Sequence, residues 1–221
     1  PDADNTHEIT LVIGKTYEEN EQWGQAGKVY LTFYDQKETE GISADELMFA
    51  RMHYGQSLEQ TGQESKALDH YRKSIDWYNK ASESGVEFVA GREFAGEMLY
   101  KLSAADYDKY DNLDVTGPAG TVGRAAEDKI LLDQLTSKGK ALQELEKLSV
   151  EVINTGAGEW GIATLVRLGQ AYEEMKTVFQ NPYIPSYLTE DQEEMYRMGM
   201  EDRAYPQEEK AIQAYATALE K

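Results

Sequence analysis

Glycine-rich segments are the first place where this sequence could hold a cofactor. Gly156, Gly158 and Gly161 match the G-x-G-x-x-G spacing of dinucleotide-binding loops, and residues 150–155 before them resemble a strand. That loop requires a strand before it, a helix after it and further strand–helix alternation. Here the preceding stretch continues a helical periodicity, and no such alternation follows. We predict that these glycines end one helix and begin the next, with nucleotide binding as a remote alternative.

Metal and proton-transfer chemistry finds no better support. Asp106, Asp108 and Asp111 are spaced like the first ligands of a calcium loop. An EF-hand also needs Gly at its sixth position and Glu at its twelfth, where this chain has Asp111 and Gly117. There is no cysteine, and the three histidines stand at no metal-ligand spacing: His7, His53 and His70. We predict no catalytic residue, metal or cofactor, and a protein that is not an enzyme.

The charge of the chain restricts its partners. Its 221 residues include 41 acidic and 22 basic ones, which gives a net charge of -19. Nucleic acids and anionic membrane surfaces need clustered Lys and Arg, so neither is predicted as a partner. Solvated helix faces, a basic partner or a salty habitat would each account for the acidity. The sequence has no apolar run long enough to span a membrane.

Glycines recur at a fixed interval in the first half of the chain. Gly14, Gly55 and Gly96 are 41 residues apart. The first two are followed by a large apolar residue three positions on, an alanine twelve on and a tyrosine sixteen on: Tyr17, Ala26 and Tyr30, then Leu58, Ala67 and Tyr71. Small residues let two helices approach closely, while bulky ones fill the groove around them. The interval therefore predicts repeated antiparallel helix pairs.

Later copies of this repeat are less regular. After Gly96 the alanine is replaced by Asp108, so the second helix of the third copy does not match. A fourth first helix returns around Gly169 and Tyr172. Its second helix is displaced to the stretch with the next matching residues, Ala211 and Tyr215, behind an inserted loop at 180–205.

Helix signals complete the predicted architecture. Ser43 with Glu46 and Thr189 with Gln192 form capping boxes, and Pro206 fits the first turn of a last helix. Apolar residues at helical spacing predict one long helix over 125–154, preceded by a Gly-rich loop at 114–123. The fold class is therefore an all-α helical-repeat solenoid over 1–221. Its predicted parts are repeats near 6–38 and 44–84, a degenerate repeat at 85–113, the long helix, and a last pair over 158–221.

The spacing of small and large residues resembles the tetratricopeptide repeat, with helices about one turn longer. A further resemblance covers residues 89–221. The segments that carry it are EFA at 93–95, KGKAL at 138–142, GEW at 158–160, RLGQAYE at 167–173 and EDRAYP at 201–206. They resemble periplasmic tetratricopeptide proteins of Tol/Exb- and TonB-type motors and of gliding-motility machinery in Gram-negative bacteria. This resemblance implies a periplasmic scaffold of the cell envelope, with no catalytic residues to transfer.

Arrays of this kind bind partners along the face of their first helices. The residues three before, one after and four after each key glycine should line it: Leu11, Lys15, Glu18, Met52, Gln56, Glu59, Val166, Gln170 and Glu173. They are apolar and acidic, and they lack the cation cluster that chaperone-binding members use for a terminal carboxylate. We predict a basic or amphipathic protein partner, with Tyr183 and Tyr187 as further contact residues.

Where the protein acts is open at this point. A periplasmic scaffold and a cytoplasmic tetratricopeptide adaptor that binds a peptide are both compatible with the residues. The first residue is Pro, and the last residues still favour a helix without a stop signal. From these ends we expect a processed or excised piece of a longer protein, whose leader has been removed or lies outside the piece.

Overall fold

The computed structural model describes residues 3–35 and 41–220, which form eight helices and no strand. The helices are α1 (Ala3–Glu19), α2 (Trp23–Tyr34), α3 (Ala44–Gln60), α4 (Glu64–Glu83), α5 (Gly91–Asp111), α6 (Arg124–Asn154), α7 (Gly158–Gln180) and α8 (Glu190–Leu219). The all-α class predicted from the sequence is confirmed. The predicted end of the first repeat, residue 38, lies outside the described residues.

The chain divides into two compact units. Unit 1 runs to Leu102 and also includes Asn154–Ala157, whereas unit 2 contains Ser103–Ile153 and the chain from Gly158 onward. In unit 1, α1 packs on α2, α2 on α3 and α3 on α4; in unit 2, α7 packs on α8. The single repeat domain predicted over 1–221 stays a prediction.

A glycine on one helix faces a tyrosine ring on its partner helix at three places. The pairs are Gly14–Tyr30, Gly55–Tyr71 and Gly169–Tyr215. A Cβ atom added to Gly14 would lie 2.5 Å from Cε1 of Tyr30, which is closer than packed carbon atoms approach. Only glycine leaves room for the ring at this distance. The first two pairs have the sixteen-residue spacing of the repeat, and the third joins Gly169 to the tyrosine of the displaced second helix.

Each unit has an apolar cluster around these pairs. The cluster of unit 1 contains Ala26, Tyr30, Phe33, Leu47 and Ala50, with Tyr17 packed against it. The cluster of unit 2 contains Tyr110, Ala141, Leu142, Leu145, Leu168, Ala171, Tyr172, Met175 and Ala211, with Tyr215 packed against it. Ala67 is fully buried in unit 1. Burial of the small residues agrees with their predicted role as close-approach surfaces.

The last helix begins earlier than the sequence predicted. Thr189 and Gln192 form the expected capping box, and α8 starts immediately after it at Glu190. The inserted loop predicted at 180–205 was therefore wrong, because only residues 181–189 connect α7 to α8. Pro206 lies inside α8 and not in its first turn. A proline already has a helical φ, so the helix continues through it with the loss of one backbone hydrogen bond.

A buried carboxylate holds the connection at 181–189. Glu127 of α6 accepts hydrogen bonds from the Ser186 backbone N–H at 2.9 Å and from the Tyr183 hydroxyl at 2.7 Å. These bonds, the backbone one first, hold the pKa of Glu127 below its usual range. The Tyr187 hydroxyl likewise donates to Asp128. Both tyrosine hydroxyls bond within unit 2, while the two rings stay half-exposed, and their role as contact residues stays a prediction.

The glycine–tyrosine contact predicts opposite effects for two Gly→Ala changes in unit 2. We expect Gly169→Ala to lower the free energy of unfolding by about 1–3 kcal/mol, because the new methyl group overlaps the Tyr215 ring. The matched control is Gly139→Ala in α6, where an added Cβ meets nothing within 4 Å. That change should stabilise by about 0.5–1 kcal/mol through helix propensity. Urea unfolding followed by circular dichroism measures both, and equal effects would contradict the packing argument.

Candidate binding groove

A groove lies in unit 1 between α1, α3 and the start of α5. Its volume is about 500 Å³. It is lined by Glu8, Leu11, Val12, Lys15, Asp45, Glu46, Phe49, Ala90 and Phe94. The lining thus combines apolar side chains with three carboxylates and one lysine. Grooves of this size with mixed linings are typical of ligand and peptide sites.

Two aromatic rings form one wall of the groove. Phe49 of α3 and Phe94 of α5 meet edge to face, with ring centroids 5.6 Å apart. The ammonium group of Lys15 lies 4.8 Å from the Phe49 ring centroid, at cation–π distance. On the α1 side Val12 is 55% exposed, so its side chain is accessible to a partner in the groove.

Asp45 fixes the start of α5 and thereby the position of Phe94. Its carboxylate accepts backbone N–H bonds from Val89 at 3.1 Å, Ala90 at 3.2 Å and Gly91 at 2.8 Å. These are donors at the beginning of a helix, which have no partner within the helix itself. A carboxylate is also favoured there by the helix dipole. A residue of α3 thus caps α5, and the groove wall is built across two helices.

Polar pairs continue the same face beyond the aromatic wall. The His53 ring lies 3.9 Å from the Phe49 ring, centroid to centroid. The pairs are His53–Glu18 at 2.9 Å, Gln56–Glu97 at 3.1 Å and Lys101–Glu59 at 2.9 Å. Burial raises the pKa of Glu97 above its usual range. Each pair bridges two of the helices α1, α3 and α5, so the layer ties the groove helices together.

The glutamate four residues after each key glycine lies beside the tyrosine that covers that glycine. Tyr215 donates a hydrogen bond of 2.8 Å to Glu173. Burial, followed by the charge of Glu18, raises the pKa of Tyr30, although the Tyr30 hydroxyl makes no well-formed hydrogen bond. Burial, followed by the charge of Glu59, likewise raises the pKa of Tyr71, whose hydroxyl also makes no well-formed hydrogen bond. The repeated unit therefore comprises a glycine, a tyrosine and a glutamate.

The residues predicted to line the groove lie in different places in the structure. Leu11 and Lys15 line the groove. Three others, Glu18, Gln56 and Glu59, belong to the half-buried polar layer. Met52 was predicted wrongly, since its side chain is fully buried in the core and cannot meet a partner. The remaining three lie in unit 2, where they are exposed: Val166, Gln170 and Glu173.

Sequence reasoning missed the aromatic wall. Phe49 stands six residues before Gly55, and Phe94 stands two before Gly96. The same two offsets from Gly14 give Glu8 and Val12, which also line the groove. Applying these offsets to all three glycines, including the degenerate third copy, would have located the groove.

The glycine loop at 156–161 has no strand before it. Gly156 has a φ of +74° and follows the end of α6, and Gly158 begins α7. This agrees with the predicted helix-to-helix turn. Over residues 3–35 and 41–220, no three His, Cys, Asp or Glu side chains gather as metal ligands. Asp106, Asp108 and Asp111 lie on the helix α5 and not in a calcium loop.

Comparison with known proteins gives no relative. Neither a protein-family model, a curated protein nor a solved structure matches this chain. In the part of the chain that the structure describes, every helix is too short or too polar to cross a bilayer. The groove and the charge of the chain are therefore the features that bear on function.

The histidines are used for packing and local bonding. His53 pairs with Glu18, as above. His70 is buried in unit 1, where its Nε2 lies 2.8 Å from the Arg51 carbonyl oxygen and its Nδ1 lies 3.5 Å from the Tyr34 hydroxyl. Burial, with the nearby Arg51 charge as a smaller contribution, lowers the pKa of His70 to about 4. A neutral ring with its proton on Nε2 satisfies both contacts.

The lowered pKa of His70 makes unit 1 sensitive to acid. The unfolded chain takes up this proton near pH 6.5 and the folded chain only near pH 4, so stability falls as pH falls between these values. Between about pH 7 and about pH 5, we expect this group alone to cost about 2 kcal/mol. Urea unfolding of the wild type and of His70→Gln at the two pH values measures the contribution of His70, as the difference between their losses of unfolding free energy. Equal losses in the two proteins would show that His70 is not responsible.

Proposed function

We propose that this chain is a non-catalytic helical-repeat module of the tetratricopeptide type that binds other proteins. The observation that carries the proposal is the glycine–tyrosine–glutamate unit, which occurs at Gly14, Gly55 and Gly169. A contact that recurs with the same three residue types supports repeated antiparallel helix pairs. Repeats of this kind present an extended surface made by their first helices.

The groove of unit 1 is the proposed partner site. Phe49, Phe94 and Val12 offer apolar surface to an anchoring side chain, as binding hot spots commonly do. Glu8 and Glu46 line the same groove, and the whole chain carries a charge of -19. A segment with an apolar anchor between Lys or Arg residues complements both features. Steering by opposite charge would also speed its association.

The cations of this face argue against capture of a terminal carboxylate. Lys101 is engaged with Glu59 at 2.9 Å. Lys15 lies over the Phe49 ring, beside carboxylates that would repel an anion. We therefore propose that the groove takes an internal or N-terminal segment of its partner.

For the cellular setting we propose what the sequence resemblance implies, a periplasmic scaffold of an envelope complex. The alternative is a cytoplasmic adaptor. A photo-crosslinking amino acid at the position of Val12 would label whatever occupies the groove in the source cells. Envelope motor or TonB-type proteins among the products support the first setting, and soluble cytoplasmic proteins alone support the second.

Two matched variants test the groove. Val12 and Ile9 both lie on α1 and are 55% and 52% exposed, but only Val12 lines the groove. Peptides selected from a random library on the wild-type chain should carry an aromatic or aliphatic anchor flanked by Lys or Arg. We expect Val12→Arg to weaken their binding at least about tenfold, because it adds bulk and positive charge inside the groove.

The control variant is Ile9→Arg, which changes the net charge identically at a position of α1 that does not line the groove. Its affinity for the selected peptides should equal that of the wild type. Binding in the groove would be contradicted if Val12→Arg left the peptide affinity unchanged, or if both variants lowered it equally. Fluorescence anisotropy with labelled peptides measures both affinities.

A further inference from the structure

Helix α8 of unit 2 has apolar residues on two separate faces. One face of α8 is buried in unit 2, where α7 packs on α8. Its buried residues are Met200, Ala204, Ala211 and Ala214. The other face carries four large apolar side chains in solvent: Met198, Tyr205, Ile212 and Leu219. Single exposed apolar residues are common, but an aligned row along a whole helix needs an explanation.

These four exposed residues form one stripe, which we name the α8 stripe. They are spaced seven residues apart, and their exposure runs from 53% at Met198 to 89% at Leu219. Seven residues are nearly two helical turns, so each residue lies almost above the previous one, with a drift of about 20° per step. In a coiled coil that is the spacing of one of the two seam positions; the other position, three residues on, holds Glu201 after Met198 and Glu208 after Tyr205. The stripe therefore offers one apolar contact in every two turns to a second helix.

Acidic residues border the first half of this stripe on both sides, whereas Tyr215 and Ala216 occupy the same positions after Ile212. Helix neighbours stand three and four residues apart. Glu201 and Asp202 occupy these positions after Met198, and Glu208 and Glu209 occupy them after Tyr205. Glu208 also pairs with Lys176 of α7 at 3.2 Å, while the other three are exposed.

The basic side chains of α8 do not neutralise these acids. Arg197 pairs with Glu193 at 2.7 Å, and Lys210 pairs with Glu146 of α6 at 2.8 Å. Arg203 directs its guanidinium group toward the sulfur of Met200, on the buried face. The border of the stripe therefore stays negative.

We propose that the α8 stripe docks an amphipathic helix whose apolar seam is flanked by Lys and Arg. The stripe would pack against that seam, and the acidic residues beside the stripe would pair with the basic flanks of the partner helix. A second copy of this chain does not fit, because it would bring the same acidic rows against the stripe. Repulsion between like charges at such positions specifies against self-pairing.

A synthetic peptide of four heptads tests this surface on the intact chain. The peptide has Leu at the two seam positions and Lys at the two flanking positions, and a matched peptide has Glu in place of Lys. We expect the Lys peptide to bind at least about tenfold more tightly than the Glu peptide in fluorescence anisotropy. Added salt should weaken the Lys peptide, because the flanking charges are exposed.

Two double variants locate the site. Tyr205→Ser with Ile212→Ser should weaken the Lys peptide at least about tenfold. Leu132→Ser with Val150→Ser removes two similarly exposed apolar residues from α6 and should leave binding unchanged. Circular dichroism verifies that both variants remain helical, as expected for changes at exposed positions.

Three outcomes would overturn the proposal. Equal affinity for the Lys and Glu peptides would remove the electrostatic argument. Unchanged binding by the Tyr205→Ser, Ile212→Ser variant would place the peptide elsewhere. A dimer of this chain in sedimentation, lost in the same variant, would identify a second copy as the occupant. Val12→Arg should not affect any of these readings, so this test is independent of the groove in unit 1.

Discussion

The contact of a tyrosine ring with a helix glycine is the interaction on which the other features depend. The ring occupies space that any Cβ atom would fill, so it sets how closely the two helices of a pair approach. The hydroxyl end of the same ring lies beside a glutamate one turn after the glycine. In unit 1 those glutamates then bond to His53 and Lys101 of neighbouring helices. Packing inside each pair is thus linked to the polar layer and to the groove beside it.

Much of this arrangement could be predicted because it is local in sequence. A glycine and a tyrosine sixteen residues apart are joined by one turn, so their spacing alone indicates the contact. To predict the groove, the direction of each side chain around the helix axis is needed as well as its spacing in sequence. Measured around that axis at 3.6 residues per turn, the predicted groove residues point about 60° closer to the direction of the glycine than the residues that line the groove. That rotation explains why Met52 is buried while Phe49 forms the wall.

The contacts that sequence reasoning could not supply join distant segments. Asp45 caps a helix that begins more than 40 residues later, and Glu127 holds a connection nearly 60 residues later. No local sequence signal distinguishes these two residues from the many Asp and Glu residues of this chain whose side chains are solvated. The helix start predicted at Pro206 was wrong although its signal was local. The stronger capping box at Thr189 determines where α8 begins. Acidity itself has one consistent consequence: both apolar surfaces proposed for partners are bordered by carboxylates.

Because glycine and tyrosine form one matched unit, their effects on stability should be coupled, and a double-mutant cycle at Gly55 and Tyr71 measures this coupling. Gly55→Ala and Tyr71→Leu should each destabilise unit 1, the first by overlap and the second by a cavity. In the double variant the shorter side chain leaves room for the methyl group. We expect the double variant to lose less stability than the sum of the single losses, by at least about 1 kcal/mol; losses that add within about 0.5 kcal/mol would show that the two residues are not matched.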